Sequence, residues 1–268
     1  MTVTTLEHDR AGRGEPLVLL HGFGSTRDDF TALLPALTAS FEVWSFDLPG
    51  HGASPMIDGV PSVAALTAAV VAELDAQGLD TVHVLGNSLG ARIALELACE
   101  GRARSVVAIS PSGLGTPAER VHQANLMVTS RLLNVARRPF IDALSETAAG
   151  RTLLLAGMRA RPWRASPTEA RIGKDGFGAQ RGFWSTLVNA IVVDVPRHLR
   201  RIDCPVIVAQ GSWDIVGSGQ TPRYTPFIRD ARFVVLPGGG HAPMSDNPEL
   251  IVDLVHHAAR RAGAVSTP

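Results

Sequence analysis

The sequence predicts an α/β protein: a mostly parallel sheet with helices on both faces. Six short apolar or β-branched runs recur along its 268 residues, at positions 17–20, 43–46, 81–85, 105–109, 205–209 and 232–236. Such runs, alternating with segments of helical periodicity, are typical of strands buried on both faces of a parallel sheet. The alternation stops between about residues 114 and 202, which predicts an inserted helical segment.

The first two strands each run into a loop of unusual composition. The run at 17–20 leads into H-G-F-G at residues 21–24, and apolar residues then recur at helical spacing over 30–37. The run at 43–46 ends at D-L-P-G-H-G, residues 47–52. Both loops therefore directly follow predicted buried strands.

The next elements repeat the pattern of helix and strand. Ser62 can cap a helix in which apolar residues recur every four positions and which ends near Gly78. A strand at 81–85 follows, then a helix with an apolar face over 91–99. The last helix opens at Asn247, with proline in its first turn.

The pentapeptide G-N-S-L-G at residues 86–90 fits G-x-S-x-G and lies between that strand and helix. At such a strand–turn–helix elbow the serine backbone is strained, and the residues two positions to either side must be small so that strand and helix can approach. Gly86 and Gly90 meet this requirement. We therefore take Ser88 as the candidate nucleophile.

The charge balance and the cysteines exclude several classes of function. Lys and Arg total 25, as do Asp and Glu, so there is no global electrostatic footprint for nucleic acid or an anionic membrane. The N-terminal decapeptide lacks the features of a signal peptide and no apolar run could span a bilayer, so we expect a soluble cytoplasmic protein. Cys99 and Cys204 are placed as reduced, buried thiols. We expect no cofactor and no metal.

The interruption at residues 114–202 is interpreted as a helical cap between two core strands, leaving 1–113 and 203–268 as the core. Glycine and proline break its helices at 161–163 and 174–178. Caps close over active sites and shape the pocket, although additional core helices would give the same pattern. Its candidate pocket walls, together with Phe23 of the core, are Met127, Met158, Phe183 and Trp184.

The cap is locally basic. We expect its arginines to be mainly solvated surface, with binding of a substrate carboxylate as the alternative. They are Arg120, Arg131, Arg137, Arg138, Arg159, Arg161 and Arg164.

A serine hydroxyl needs a base within hydrogen-bond reach and a group to orient that base. His241 lies in a glycine-rich loop directly after the strand at 232–236, and Asp214 follows the strand at 205–209. Both thus come after strands, at the carboxyl edge where parallel sheets bind ligands. Asp214 can accept the imidazole N–H and stabilise the imidazolium formed when Ser88 gives up its proton.

The chain order Ser88, Asp214, His241 is that of the α/β-hydrolase fold. With it, the whole chain resembles the α/β-hydrolase superfamily, specifically its compact, capped bacterial serine hydrolases. In this resemblance residues 21–24 correspond to the oxyanion loop and 47–54 to the D-x-P-G-x-G-x-S loop. The resemblance implies oxyanion-hole donors from the backbone N–H groups of Phe23 and Leu89, and a small-molecule substrate.

The remaining histidines are weaker candidates. His51 is expected to tie down its own loop, and His83 to satisfy the core. The histidines at 256–257 have no acidic or cysteine cluster beside them that could complete a metal site.

Several activities of this superfamily remain open. Ser at the elbow disfavours the related dehalogenases and epoxide hydrolases, which place Asp there. We rank hydrolysis of small to medium acyl esters first. Carbon–carbon hydrolysis of meta-cleavage-type diketones is second, because G-N-S-L-G resembles that group but the residue after His241 is Ala rather than its usual Trp. Haloperoxidase-like perhydrolysis and a ligand receptor with little turnover are further alternatives. The oligomeric state stays open.

Overall fold

The computed structural model describes residues 5–217 and 219–265. The first four residues of the N-terminal segment considered above, and the predicted domain ends at 1 and 268, lie outside this part. A single seven-stranded sheet forms the centre, in the order β1-β3-β2-β4-β5-β6-β7. Its strands are β1 (His8–Gly12), β2 (Glu15–Leu20), β3 (Phe41–Phe46), β4 (Val82–Asn87), β5 (Ala103–Ile109), β6 (Val206–Gly211) and β7 (Ala231–Leu236).

All neighbouring strands pair in parallel except β1, which runs antiparallel to β3 at the edge. The six strands that the sequence predicts are therefore present, each within a few residues of its predicted bounds. Strand β1 was not predicted, because its H-D-R-A-G sequence is exposed at the sheet edge and shows no apolar pattern.

Helices cover both faces of the sheet, as predicted. Alternate side chains of β2 show the division, because Val18 and Leu20 join the apolar cluster that contains α2 and α3, whereas Leu17 and Leu19 join the cluster that contains α9. The α-helices are α1 (Leu34–Leu37), α2 (Val63–Ala76), α3 (Leu89–Cys99), α4 (Pro117–Arg137), α5 (Ile141–Ser145), α6 (Ala148–Leu155), α7 (Pro167–Asp175), α8 (Phe183–Thr186) and α9 (Pro248–Val265).

Local signals explain several helix ends. Ser62 Oγ accepts the Ala65 N–H at the start of α2, as predicted. The helical spacing over residues 30–37, by contrast, gives only a 3₁₀ turn at Arg27–Phe30 and the single turn α1. The reason is Pro35 within it, which has no N–H to donate back to residue 31, so the helix cannot extend from Phe30.

The segment between β5 and β6 is helical for most of its length, and we call residues 114–202 the cap segment. It contains α4 to α8, 3₁₀ turns at Arg138–Phe140, Pro162–Arg164 and Leu199–Arg201, and a π-helical turn at Leu187–Val192. Capping boxes start α4 and α7: Thr116 with Glu119, and Ser166 with Glu169. Its assignment as a separate domain stays a prediction.

The sheet register brings the predicted site loops to one edge. Leu20, the last residue of β2, pairs with Phe46 and with Gly86, which lie at the ends of β3 and β4. On the other side, Gly211 of β6 pairs with Leu236 of β7. Because parallel strands end at the same edge, the loops after β2, β3, β4, β6 and β7 all emerge there.

Candidate active site

Ser88 occupies a strained turn between β4 and α3. Its backbone angles are φ 53° and ψ −109°, a conformation that non-glycine residues rarely adopt. A Cβ on Gly86 would lie 2.4 Å from the Gly90 carbonyl oxygen, and one on Gly90 would lie 2.0 Å from the Leu20 oxygen. No side chain fits at either position, which confirms the steric requirement inferred from the sequence.

His241 and Asp214 meet across the ends of β6 and β7. His241 Nδ1 lies 2.9 Å from Asp214 Oδ1, and both side chains are buried. The same carboxylate oxygen accepts the N–H groups of Val216 and Gly217 at 2.9 and 2.8 Å. With Nδ1–H donating to the carboxylate, Nε2 carries the lone pair that a general base needs.

The carboxyl of Asp214 is held ionised. Burial by itself raises its pKa, but the charge of His241 and the hydrogen bonds from His241 and Gly217 outweigh burial and lower the pKa to about 2. The carboxylate is thus available to stabilise a cationic imidazolium on His241.

The H-G-F-G loop lies against the elbow. A Cβ on Gly22 would be 3.3 Å from the Ser88 Cβ, so the loop backbone approaches the serine closely. His21 is fully buried and braces this loop: its Nδ1–H donates to the Gly22 carbonyl at 2.8 Å, while Nε2 accepts the Leu48 N–H at 3.0 Å. Burial lowers the pKa of His21, consistent with a neutral ring in that tautomer.

The two expected oxyanion donors belong to segments that adjoin Ser88. Phe23 lines the cavity in front of the serine, and Leu89 is the first residue of α3. The N–H groups of a helix's first turn lack intrahelical acceptors and carry the positive end of the helix dipole. Both positions suit a developing oxyanion, and their role stays a prediction.

A cavity of about 180 Å³ opens between the core and the cap segment, with Ser88 and His241 in its wall. Of the candidate pocket walls, Phe23, Met127 and Met158 line it. Phe183 and Trp184 do not. Phe183 is buried behind Phe23, with ring centroids 5.1 Å apart, and Trp184 is 59% exposed.

The loop that carries His241 is tied to both regions. Asn87 Nδ2, next to the serine, donates to the His241 carbonyl at 2.9 Å. From the cap segment, the Met158 carbonyl accepts the Ala242 N–H at 2.9 Å, and the Arg159 guanidinium donates to the Ala242 carbonyl. The loop that carries the base is therefore held both by β4 and by the cap segment.

Asp246 strengthens this connection. Its Oδ2 accepts the N–H groups of Gly240 and Ala160, and its Oδ1 accepts that of Arg161, each at 2.9 Å. One buried carboxylate thus binds the residue before His241 and two residues of the cap segment. We call this set of contacts the Asp246 clasp.

Arg159 corrects the expectation that the cap arginines are mainly solvated surface. Its side chain is 2% exposed, and its Nη2 lies 2.6 Å from Asp29 Oδ1 and 3.5 Å from Glu169 Oε1. Burial raises the pKa of Asp29 despite the opposing charge of Arg159. The guanidinium is therefore committed to two buried carboxylates.

Other cap arginines also bind protein groups. Arg120 donates to the carbonyls of Gly115, Val192 and Gly113. Arg131 donates to the Phe177 carbonyl and stacks over the Phe183 ring. These guanidinium groups connect α4 to the π-helical turn at Leu187–Val192 and to Phe177, which follows α7.

The structure also places the weaker histidine candidates. His51 Nδ1 donates to the Pro49 carbonyl at 3.0 Å, within its own loop as expected. His83 Nδ1 hydrogen-bonds Ser105 Oγ at 2.8 Å inside the sheet. In residues 5–217 and 219–265, no three His, Cys, Asp or Glu side chains are grouped to hold a metal ion. No helix in this same part of the chain is long and apolar enough to cross a membrane.

Sequence reasoning missed Asn87, Asp29, Glu169 and Asp246 as parts of the site. A polar residue next to the nucleophile, and an acid five positions after the base, were the available signals for Asn87 and Asp246. Asp29 and Glu169 carried no such signal, because they meet only through Arg159 of the cap segment.

Comparisons with known proteins cover nearly the whole chain. Residues 17–254 match the profile of a family described as "Alpha/beta hydrolase family". A pimeloyl-[acyl-carrier protein] methyl ester esterase of Neisseria meningitidis serogroup B is 26% identical over 250 residues, 88% of this chain and 89% of that protein. An epoxide hydrolase of Mycobacterium tuberculosis is 30% identical over 200 residues, 72% of this chain and 93% of that protein.

A shorter match covers only part of a relative. The dihydrolipoyllysine-residue acetyltransferase component of the acetoin cleaving system of Cupriavidus necator is 35% identical over 109 residues, but this spans 29% of that protein. Among solved structures, a hydrolase from Pseudomonas aeruginosa PA01 is 28% identical, with a TM-score of 0.74 and coverage of 94% of this chain and 93% of that one. The profile match includes the elbow and the loops that carry Asp214 and His241.

Proposed function

The chain belongs to the alpha/beta hydrolase family, and from that premise we propose that it is a serine hydrolase of small to medium acyl esters. Ser88 is the nucleophile, His241 the general base and Asp214 the group that orients the base. In the same proposal residues 1–113 and 203–268 form the catalytic core, and the cap segment closes the acyl pocket.

One observation carries the proposal. Ser88 and His241 line the same cavity, and His241 is hydrogen-bonded at 2.9 Å to a carboxylate whose pKa is lowered to about 2. A nucleophile, a base and an orienting anion are the three groups that acyl transfer through a serine requires.

The first half of the reaction forms an acyl-enzyme. Ser88 Oγ attacks the ester carbonyl carbon while His241 Nε2 takes the hydroxyl proton. The carbonyl oxygen becomes an oxyanion and accepts hydrogen bonds from the Phe23 and Leu89 N–H groups. The tetrahedral intermediate then collapses: its C–O bond to the alcohol breaks, and His241 returns the proton to the leaving alcohol.

The second half restores the enzyme. A water molecule gives its proton to His241 and attacks the acyl carbon, and the acid leaves when His241 protonates Ser88 Oγ. In both halves the Asp214 carboxylate stabilises the imidazolium without itself becoming protonated.

The cavity sets the size of the acyl group. A cavity of about 180 Å³ is close to the roughly 150 Å³ that accommodates a benzene ring. The apolar lining from Phe23, Met127 and Ile172 suits hydrocarbon chains of short to medium length. The Neisseria relative, named for hydrolysis of a methyl ester, supports the same reaction class.

The serine at position 88 disfavours epoxide hydrolysis, the reaction for which the Mycobacterium tuberculosis relative is named. Epoxide hydrolases of this superfamily attack with a carboxylate at the elbow, and Ser88 has none. Carbon–carbon hydrolysis of a vinylogous diketone uses the same serine and remains the second candidate, favoured by the G-N-S-L-G sequence at residues 86–90.

The test combines covalent labelling with turnover. A fluorophosphonate probe should label the wild type at Ser88 and leave Ser88→Ala unlabelled. p-Nitrophenyl acetate and butyrate should be hydrolysed by the wild type only, and long-chain triglycerides should be poor substrates.

Four outcomes separate the alternatives. Labelling at another residue, or absence of labelling in the folded protein, contradicts the assignment of Ser88. Inert esters with efficient cleavage of a 2-hydroxy-6-oxo-dienoate favour carbon–carbon hydrolysis. Peroxide-dependent turnover of an acid favours perhydrolysis. Labelling without turnover of any ester or diketone favours a ligand receptor.

A further inference from the structure

The charged groups of the catalytic cavity fall into two sets. Among the side chains that the structure describes, four charged ones line its wall: Asp29, Arg137, Arg159 and Glu169. Three of them form the buried group described above, in which the Arg159 guanidinium lies between the two carboxylates. This group carries no excess of positive charge, so an anionic part of a substrate gains nothing there.

Arg137 differs from the other three. It is the last residue of α4 and is half-buried. Its Nη1 donates one hydrogen bond, to the Leu153 carbonyl at 3.1 Å, and no carboxylate pairs with it in the described part of the chain. A guanidinium has five N–H donors in a planar fork, so most of this donor capacity remains for a ligand.

Arg137 ends a stripe of α4 residues that line the cavity. Met127, Ser130, Asn134 and Arg137 all line it, and their spacing of three, four and three residues is one stripe along a helix. The stripe spans about 15 Å, since each residue adds about 1.5 Å. Met127, at the other end of the stripe, is buried and belongs to the apolar cluster that also contains Phe23 and Leu89.

The outer end of the stripe is only partly shielded. Leu133 and Leu153 line the cavity near Arg137 and are 40% and 47% exposed. The Arg137 guanidinium reaches across to α6, where it binds the Leu153 carbonyl. The cavity thus runs from an ester-cleaving end, along an apolar wall, to an unpaired cation.

We propose that Arg137 binds a carboxylate at the distal end of the acyl chain, so that half-esters of medium-length dicarboxylic acids are preferred substrates. This inference rests on the proposed function and adds the chemical class of the acyl group. A carboxylate matches the guanidinium fork with two parallel hydrogen bonds. Repulsion from Asp29 and Glu169 directs the charged end of the chain outward.

The charge of the surrounding segment acts in the same direction. Residues 114–202 contain 13 arginines and one lysine against six acidic residues. A local excess of positive charge attracts anions and raises their concentration at the entrance.

The test compares two esters that differ only in the distal group: mono-p-nitrophenyl adipate and p-nitrophenyl hexanoate. The wild type should prefer the adipate half-ester by about tenfold in kcat/KM, at the low end for a charged hydrogen bond because Arg137 is partly hydrated. Arg137→Met, which keeps the aliphatic stem, should abolish this preference through KM. Arg137→Lys should restore part of it.

Arg138→Met is the matched control. Arg138 is the next residue, is exposed and does not line the cavity, so the preference should be unchanged. Equal treatment of the two esters by the wild type, or the same loss in both arginine variants, overturns the inference.

Equilibrium binding separates this inference from the proposed function. In the Ser88→Ala variant, calorimetry should detect adipate binding more tightly than hexanoate, and addition of Arg137→Met should remove the difference. If hexanoate ester is hydrolysed but adipate binds no better than hexanoate, the inference fails and the proposed function stands. If no ester turns over but the binding difference is present and depends on Arg137, the proposed function fails and the anion site stands.

Discussion

The core and the cap segment are opposite in charge, although the whole chain is neutral. The cap segment has 14 basic and six acidic residues, which leaves 11 basic and 19 acidic residues for the rest of the chain. A charge total over the sequence hides this asymmetry. The entrance to the cavity therefore experiences the positive charge of the cap segment rather than the neutral total of the chain.

The two regions are also held together by different forces. The core depends on backbone pairing and on strands that are apolar on both faces, such as β2 and β4. The cap segment depends more on buried or half-buried guanidinium groups that bind backbone carbonyls: Arg120 binds that of Val192 within the segment, and Arg159 binds that of Ala242 in the core. The core can therefore fix the reacting groups rigidly, whereas single side chains set the shape of the pocket wall.

The regions meet at His241. Gly240 and Ala242, on either side of the base, each bond to the cap segment, directly or through Asp246. A displacement of residues 158–161 would therefore move the catalytic base as well as the pocket wall. We therefore expect that some substitutions in the cap segment will also reduce catalysis.

The largest effect should come from the core alone. Asp214→Asn keeps the size of the side chain but removes the charge that stabilises the imidazolium and fixes its tautomer. We expect kcat to fall by as much as about 10⁴-fold, with KM for short esters nearly unchanged. Steady-state kinetics, with circular dichroism to verify the fold, would measure this. A folded variant with near-wild-type kcat would mean that another residue orients His241.

A smaller loss should follow when the contact between the two regions is broken. Asp246→Asn turns an acceptor of three N–H groups into a group that itself carries N–H donors. Because a displacement of about 1 Å can cost about 10²-fold in rate, we expect a decrease of that order in kcat. Fluorophosphonate labelling of Ser88 should slow in parallel, while KM for short esters changes little.

Two variants show whether this loss is specific to positioning. Asp246→Glu keeps the charge and should recover part of the rate. Asp75→Asn removes an exposed carboxylate that pairs with Arg102 on the core surface and should leave the rate unchanged. If Asp246→Asn loses thermal stability together with rate, and Asp246→Glu recovers neither, the Asp246 clasp stabilises the fold but does not position the base.

The sequence was most informative where the backbone determines the structure. Gly86 and Gly90 predict the elbow because any Cβ there would collide with the main chain, and the apolar runs predict the parallel sheet. It was least informative in the cap segment, where Arg159 looked like solvated surface. Its burial depends on Asp29, 130 residues away, and such long-range pairing leaves no periodic pattern.

The smallest effect that we predict is a loss of folding stability at mildly acidic pH. It should arise from a histidine of the core and not from one of the cap segment. His51 is buried in the core beside His21, with ring centroids 5.2 Å apart. Burial, and then the charge of His21, lower its pKa to about 3. In the unfolded chain its pKa is about 6.5, so between these values the unfolded state binds a proton that the folded state does not.

Acid therefore stabilises the unfolded state relative to the folded state. Protonation of His51 does not reduce the free energy of unfolding above about pH 6.5, but reduces it progressively as the pH falls towards 3. At pH 5 the reduction due to His51 is about 2 kcal/mol. His51→Asn retains a donor for the Pro49 carbonyl, and its free energy of unfolding should decline less steeply between pH 7 and 5 in urea titrations. Some decline remains, since burial also lowers the pKa of His21. His122→Asn, at an exposed position of the cap segment, should follow the wild-type slope. If His51→Asn keeps that slope too, the acid sensitivity does not arise at this core histidine.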